Sequence, residues 1–133
     1  MEVDANLWIS AYVLDDAHHA ECRQWLQQHL TNGEQLVVPT LALAEVAGAI
    51  ARRTGASDLG HEAVAEILRT PGLRIIGLDE QLGWDAARIA ADLRLRGADA
   101  IYVVVAHSLG IPLVTWDLEL QRRAGGLIKV FHP

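Results

Sequence analysis

Four carboxylates stand in stretches of this chain that are otherwise nearly free of charge. Asp4 is the only charged residue between Val3 and Leu14, Glu45 the only one between Leu36 and Ala51, and Asp99 the only one between Gly97 and Trp116. Asp117 follows directly on the apolar run Ile111–Thr115. A carboxylate in apolar surroundings is costly unless it is paired or binds a cation. Each acid also has a local explanation. Asp4 and Asp117 can cap helices, Asp99 can favour a helix N-terminus, and Glu45 can face water as an ordinary helix former. Gathered at one place, however, the four would repel one another, and a hard divalent cation bound through oxygen removes that repulsion. Mg²⁺ takes a few carboxylates and keeps waters that phosphate oxygens can replace. Two such ions about 4 Å apart activate water and stabilise the leaving oxygen of an in-line displacement. The chemistry implied is phosphodiester hydrolysis.

The elements that would have to position these acids follow from periodicity and from turn residues. Strands are expected at Glu2–Val3, Leu36–Val38, Leu73–Leu78, Ile111–Thr115 and Leu127–Phe131. Helices are expected at Asn6–Leu14, His18–Leu30, Thr40–Arg53, Ser57–Arg69, Glu80–Arg94, Asp99–Leu109 and Leu118–Ala124. Thr40, Ser57 and Asp79 are the expected caps of their helices. Strands alternate with helices, and most strands are continuous apolar runs, the pattern of a parallel sheet covered on both faces. In such a sheet, sites form at the carboxyl ends of strands. Asp4 and Asp117 lie at two of those ends. No repeat, linker or low-complexity segment interrupts residues 1–133, and a single domain is expected.

Composition narrows the class. Hydrophobic residues make up 51% of the chain and aromatics 5%, with a mean hydropathy of +0.18. This is apolar enough to suggest that a second copy or a partner covers some surface. The longest run without Asp, Glu, Lys or Arg, Ala100–Trp116, is broken by Gly110 and Pro112, so no membrane helix fits there. The opening Met-Glu-Val-Asp lacks the basic start of a signal peptide. A single cysteine, Cys22, suits a reducing compartment, and a cytoplasmic location is expected.

Several other residues carry less. Asp79 adjoins Glu80 ahead of an amphipathic helix and reads as a cap. His18 and Cys22 have i,i+4 spacing but are too few for a soft-metal site. His107 reads as a core histidine. Ser10, Ser57 and Ser108 lack the Gly-x-Ser-x-Gly setting of a nucleophile. No phosphate-binding glycine loop is present, so nucleotide cofactors are not expected.

The ordered set Val3-Asp4-Ala5-Asn6, Leu43-Ala44-Glu45-Val46, Gly97-Ala98-Asp99-Ala100-Ile101-Tyr102 and Leu113-Val114-Thr115-Trp116-Asp117 resembles the PIN-domain nucleases, especially the VapC-type toxins of toxin–antitoxin pairs. The resemblance spans essentially the whole chain. It implies a three-layer α/β/α sandwich with a central, mainly parallel sheet, and Mg²⁺- or Mn²⁺-dependent cleavage of single-stranded or loop RNA. By the same resemblance, Asp4, Glu45, Asp99 and Asp117 match the catalytic, metal-holding acids, and Asn6 and Thr115 match polar positions that support them. A small antitoxin and a homodimer are the implied protein partners. Trp8 departs from the family's usual aliphatic residue. Trp116 falls at a variable position, where it either lines the site or shields the core.

Charge pulls the other way. The chain has 11 Lys and Arg against 17 Asp and Glu, a net charge of −6, and setting the four site acids aside still leaves 13 acids. RNA binding would therefore rest on metals and on local arginines: Arg52 and Arg53, Arg94 and Arg96, and Arg122 and Arg123 flank the acidic motifs. Each pair also reads as a solvated helix end. A PIN-like nuclease of RNA maturation or of structured DNA would use the same site. A phospho-acceptor domain wants a lysine at its acids, and the only lysine is Lys129. A silent binding module is at odds with the intact acidic set.

Overall fold

The computed structural model describes residues 1–133. In chain order the elements are β1 (Glu2–Val3), α1 (Ala5–Tyr12), α2 (His19–Thr31), β2 (Val37–Pro39), α3 (Thr40–Thr54) and α4 (Ser57–Leu68). Then come β3 (Arg74–Ile76), α5 (Glu80–Leu93), α6 (Gly97–Leu109), β4 (Leu113–Val114), α7 (Leu118–Ala124) and β5 (Val130–Phe131). Every expected element is present and in order. The five strands form one sheet in the order β3-β2-β1-β4-β5, and all four pairings are parallel. This is the α/β/α arrangement expected of the family resemblance.

β1 has the expected bounds and β2 the expected length, moved on by one residue, whereas β3, β4 and β5 are shorter than their apolar runs. β1 is two residues long and pairs Glu2 with Leu113 and Val3 with Val114, so β4 ends at Val114 although the apolar run begins at Ile111. Length here is set by the neighbouring strand, not by local composition. The side-chain alternation of a strand sorts β2 between the two layers. Val37 packs with Ala86 of α5 and with Ala100, Val104 and Val105 of α6. Leu36 and Val38, on either side of it, belong to the larger cluster with Leu7, Trp8, Leu26, Val46 and Ile67 from the helices α1–α4.

Three local expectations are corrected. Thr40 does not cap α3: Pro39 holds the cap position without a side-chain bond, and the Thr40 hydroxyl donates instead to the Ile76 carbonyl at 2.8 Å, tying α3 to β3. Ser57 is the first residue of α4 and makes no cap, which falls to the backbone of Ala56. His107 is exposed, because the core face of α6 is filled by Tyr102, Val103 and Ala106. Asp79 does cap α5, accepting from Leu82 N at 2.8 Å. No helix is long and apolar enough to cross a membrane.

Candidate active site

The central position of β1 decides where the acids meet. Asp4 leaves its carboxyl end, and its backbone N–H donates to the Val114 carbonyl at 3.0 Å, which sets it beside the end of β4. Residues 115–117 follow β4 directly, α3 brings Glu45 in its second turn, and α6 brings Asp99 in its first. Asp4 and Asp117 both cap helices, as their local readings required, and each does so with one oxygen only. Asp4 Oδ1 accepts from Asn6 N at 3.4 Å, and Asp117 Oδ1 accepts from Leu120 N at 2.9 Å. The second oxygen of Asp4 accepts from Thr115 and Asn6, and that of Asp117 from Arg96.

Thr115 ties these strand ends together. Its buried hydroxyl donates to Asp4 Oδ2 and accepts from Asn6 Nδ2 and from the Asp117 backbone N–H, both at 3.0 Å. One donor and two acceptors exhaust what a hydroxyl offers. Asn6 Nδ2 also donates to Asp4 Oδ2 at 2.7 Å, and Asn6 Oδ1 accepts from Trp116 N at 3.5 Å. Asn6 and Thr115 are thus both hydrogen-bonded to Asp4.

Tyr102 is the member of this constellation that the sequence did not single out. Its hydroxyl donates to Glu45 Oε2 at 2.7 Å and accepts from Ala5 N at 3.3 Å. The available signal was its place one helical turn after Asp99, on the same face of α6. Within an apolar helix, a tyrosine reads first as core.

The electrostatics report the crowding of acids. Burial pushes the Asp4 carboxyl up to about 6; the Thr115 and Asn6 hydrogen bonds oppose this, and the charges of Glu45 and Asp99 add to it. Burial, followed by the charges of Asp4 and Glu45, holds the Tyr102 phenol firmly protonated. Among the six flanking arginines, Arg96 alone reaches the acids, donating from Nε to Asp99 Oδ2 at 2.9 Å and from Nη2 to Asp117 Oδ2 at 3.3 Å. Arg53 pairs with Asp16 at 2.6 Å, and Arg122 and Arg123 both pair with Glu119. Arg52 and Arg94 are exposed at the ends of α3 and α5.

The donor set is all oxygen and mostly carboxylate, which suits a hard divalent cation. As the side chains stand, no three His, Cys, Asp or Glu groups close on one point. Tyr102 holds Glu45, and a guanidinium occupies the space between Asp99 and Asp117. Trp116 lies at the edge of the cluster, stacked on His18 with ring centroids 4.0 Å apart, and its indole N–H donates to Cys22 Sγ at 3.1 Å. His18 and Cys22 are thereby occupied in seating Trp116.

Comparison with curated proteins found no match. Among solved structures, the chain is similar to VapC20 of Mycobacterium tuberculosis, described as a sarcin-ricin loop cleaving toxin, with 20% identity, a TM-score of 0.77 and 98% of each chain covered. It is similar to VapBC2 from Rickettsia felis, solved bound to a DNA fragment from its promoter, at 14% identity and TM-score 0.75, covering 98% of this chain and 96% of that one. PAE2754 from Pyrobaculum aerophilum is 25% identical with a TM-score of 0.66, over 96% of this chain and 88% of the other. The model of the PIN domain family matches residues 1–126, a span that contains all four acids, and the chain belongs to the PIN-domain family.

Proposed function

We propose that this chain is an Mg²⁺-dependent endoribonuclease, with Mn²⁺ able to serve, and that residues 1–133 act as one nuclease domain. The observation that supports the proposal is that Asp4 feels the charges of Glu45 and Asp99, and Arg96 bridges Asp99 to Asp117, at the carboxyl edge of the sheet, in a member of a family whose nucleases generally use divalent metal ions. These four side chains would hold the ion, which when bound supplies an activated water and charge neutralisation at the phosphate. The protein's own part is positional. Thr115 and Asn6 fix Asp4, Tyr102 fixes Glu45, and the α7 cap fixes Asp117. Arg96, exposed at the rim, would be the arginine that meets a substrate phosphate.

RNA as substrate is supported by the likeness to a toxin described as cleaving the sarcin-ricin loop. The likeness to a chain solved within a VapBC complex supports a toxin role with a small antitoxin as partner. Exposed Leu14, Trp84 and Leu118 provide apolar surface for an antitoxin or for a second copy in a homodimer. The expected setting is the cytoplasm.

The test is cleavage of a mixed cellular RNA pool with Mg²⁺ or Mn²⁺, with EDTA, and by Asp4→Asn. Metal-dependent cuts that vanish in EDTA and in the variant are the expected result. Equal cutting by variant and wild type would remove Asp4 from the site. Absence of any cutting, together with RNA binding that ignores metal, would favour a silent binding module.

A further inference from the structure

Resting on the metal-site reading above, we propose that Arg96 is the site's own counter-ion and that a divalent cation must displace it to bind. Few carboxylate oxygens of the cluster are without a partner. Asp117 commits Oδ1 to the α7 cap, so Oδ2 is the oxygen it can offer a cation, and Arg96 Nη2 already donates to it at 3.3 Å. The same guanidinium donates through Nε to Asp99 Oδ2 at 2.9 Å. One side chain therefore bridges two of the four acids, one from the first turn of α6 and one from the loop after β4.

The backbone delivers this arginine to that place. Arg94 ends α5 in the left-handed region at φ 55°, turning the chain, and Arg96 sits in extended conformation at the cap position of α6. From there the guanidinium reaches Asp99 three residues on. It makes no contact with a carboxylate outside the site, whereas Arg53, Arg122 and Arg123 are each held elsewhere.

Charge and exposure give the competition its direction. One guanidinium bonded to Asp99 and Asp117, with Asp4 also within electrostatic reach, leaves the acids under-neutralised, which favours replacing a single positive charge by a double one. The Arg96 side chain is 79% exposed, against 21% for Asp99 and 25% for Asp117. Exposed ion pairs contribute little and are screened by salt, so the arginine can leave at small cost. A guanidinium and a cation cannot occupy the same space between Asp99 and Asp117. Arg96 therefore lowers the apparent metal affinity, and it keeps the acidic edge partly neutralised when divalent ions are scarce.

The test is calorimetric titration of Mn²⁺ into the metal-free protein at about 0.15 M salt, where surface charges are screened beyond roughly 8 Å. The proteins compared are wild type, Arg96→Gln, Arg96→Lys, Arg94→Gln and Asp4→Asn. Removing the competitor should tighten Mn²⁺ binding about three- to tenfold in Arg96→Gln. Arg96→Lys, whose ammonium cannot span both carboxylates, should fall between. Arg94→Gln removes the same charge two residues away and should leave the affinity unchanged. Mn²⁺ binding that is equal or weaker in Arg96→Gln, or equally tightened in Arg94→Gln, overturns the proposal while the metal site stands. Binding by wild type that survives Asp4→Asn, or no binding by any of the proteins, overturns the metal reading itself and this proposal with it.

Discussion

Tyr102 donates its phenolic proton to Glu45 Oε2 at 2.7 Å, across the join between α6 and α3. The Tyr102 hydroxyl oxygen in turn accepts the Ala5 N–H, so one hydroxyl links three of the segments that carry the acids. Tyr102→Phe keeps the ring in the core but frees Glu45 and leaves a buried N–H without its partner. The expected result is a loss of about 1–2 kcal/mol in stability by urea unfolding. Cleavage of a matched RNA should fall roughly tenfold, as is usual when the group orienting a metal ligand is removed.

Thr115→Val tests the hub at the end of β4. The substitution keeps volume but removes the donor to Asp4 and the acceptor shared by Asn6 and Asp117. Mn²⁺ affinity should drop roughly 10- to 100-fold. Thr115→Ser, which keeps the hydroxyl, should restore most of it. Full affinity in Thr115→Val would mean that Asp4 needs no positioning.

Two glycines make a paired prediction about the packing that seats α3, and with it Glu45. A Cβ at Gly60 of α4 would lie 2.6 Å from the Ala47 carbonyl oxygen of α3, a backbone atom that cannot step aside. Gly60→Ala should force the helices apart and cost about 1–3 kcal/mol. At Gly48 the nearest atom to an added Cβ is the mobile end of Arg52, at 3.0 Å. Gly48→Ala should therefore be neutral or stabilising by up to about 1 kcal/mol, from helix propensity alone. Denaturant midpoints of the two variants should move in different directions.

Glu2 provides the pH dependence. It is 0% exposed in the central strand, and neither carboxylate oxygen has a hydrogen-bond partner. Burial, followed by the charge of Asp4, pushes its carboxyl from 4.5 up to about 9. The folded protein then holds a proton that the unfolded chain releases above 4.5, so stability falls as pH rises from about 4.5 towards 9. Below that window both states are protonated and the penalty vanishes. Asp4, raised to about 6, adds the same slope over its own narrower range. Glu2→Met, similar in shape and uncharged, should raise the melting temperature by roughly several degrees at pH 8.5 in EDTA and flatten its fall above pH 7. An unchanged melting curve would mean that Glu2 is solvated.

The division between what the sequence disclosed and what it withheld follows the range of the forces involved. Apolar runs, turn residues and caps are local, so the twelve elements and their order are legible in the sequence, as are the isolated acids at strand ends. Strand lengths are not, because β4 is trimmed by its two-residue neighbour β1. The local explanations of Asp4 and Asp117 hold for one oxygen of each, and the other oxygen finds long-range partners, Thr115 for Asp4 and Arg96 for Asp117, that no local pattern announces. Long side chains are the least legible. Nothing near Arg53 in sequence points to Asp16, 37 residues away, and nothing near Arg96 points to Asp117, 21 residues on. Tyr102 was hidden for the same reason, as its partner Glu45 lies 57 residues off.

The placing of β1 at the centre of the sheet has a consequence for how the protein is made. The strand synthesised first finds its two ladders with β2 and with β4, and the hydroxyl that holds Asp4 arrives 111 residues later. A ribosome translating this chain therefore carries the first acid long before the last, and the growing polypeptide has no assembled cleft until Thr115 and Asp117 have emerged. By the order of its strands, the acidic edge of the sheet stays incomplete for most of the chain's own synthesis.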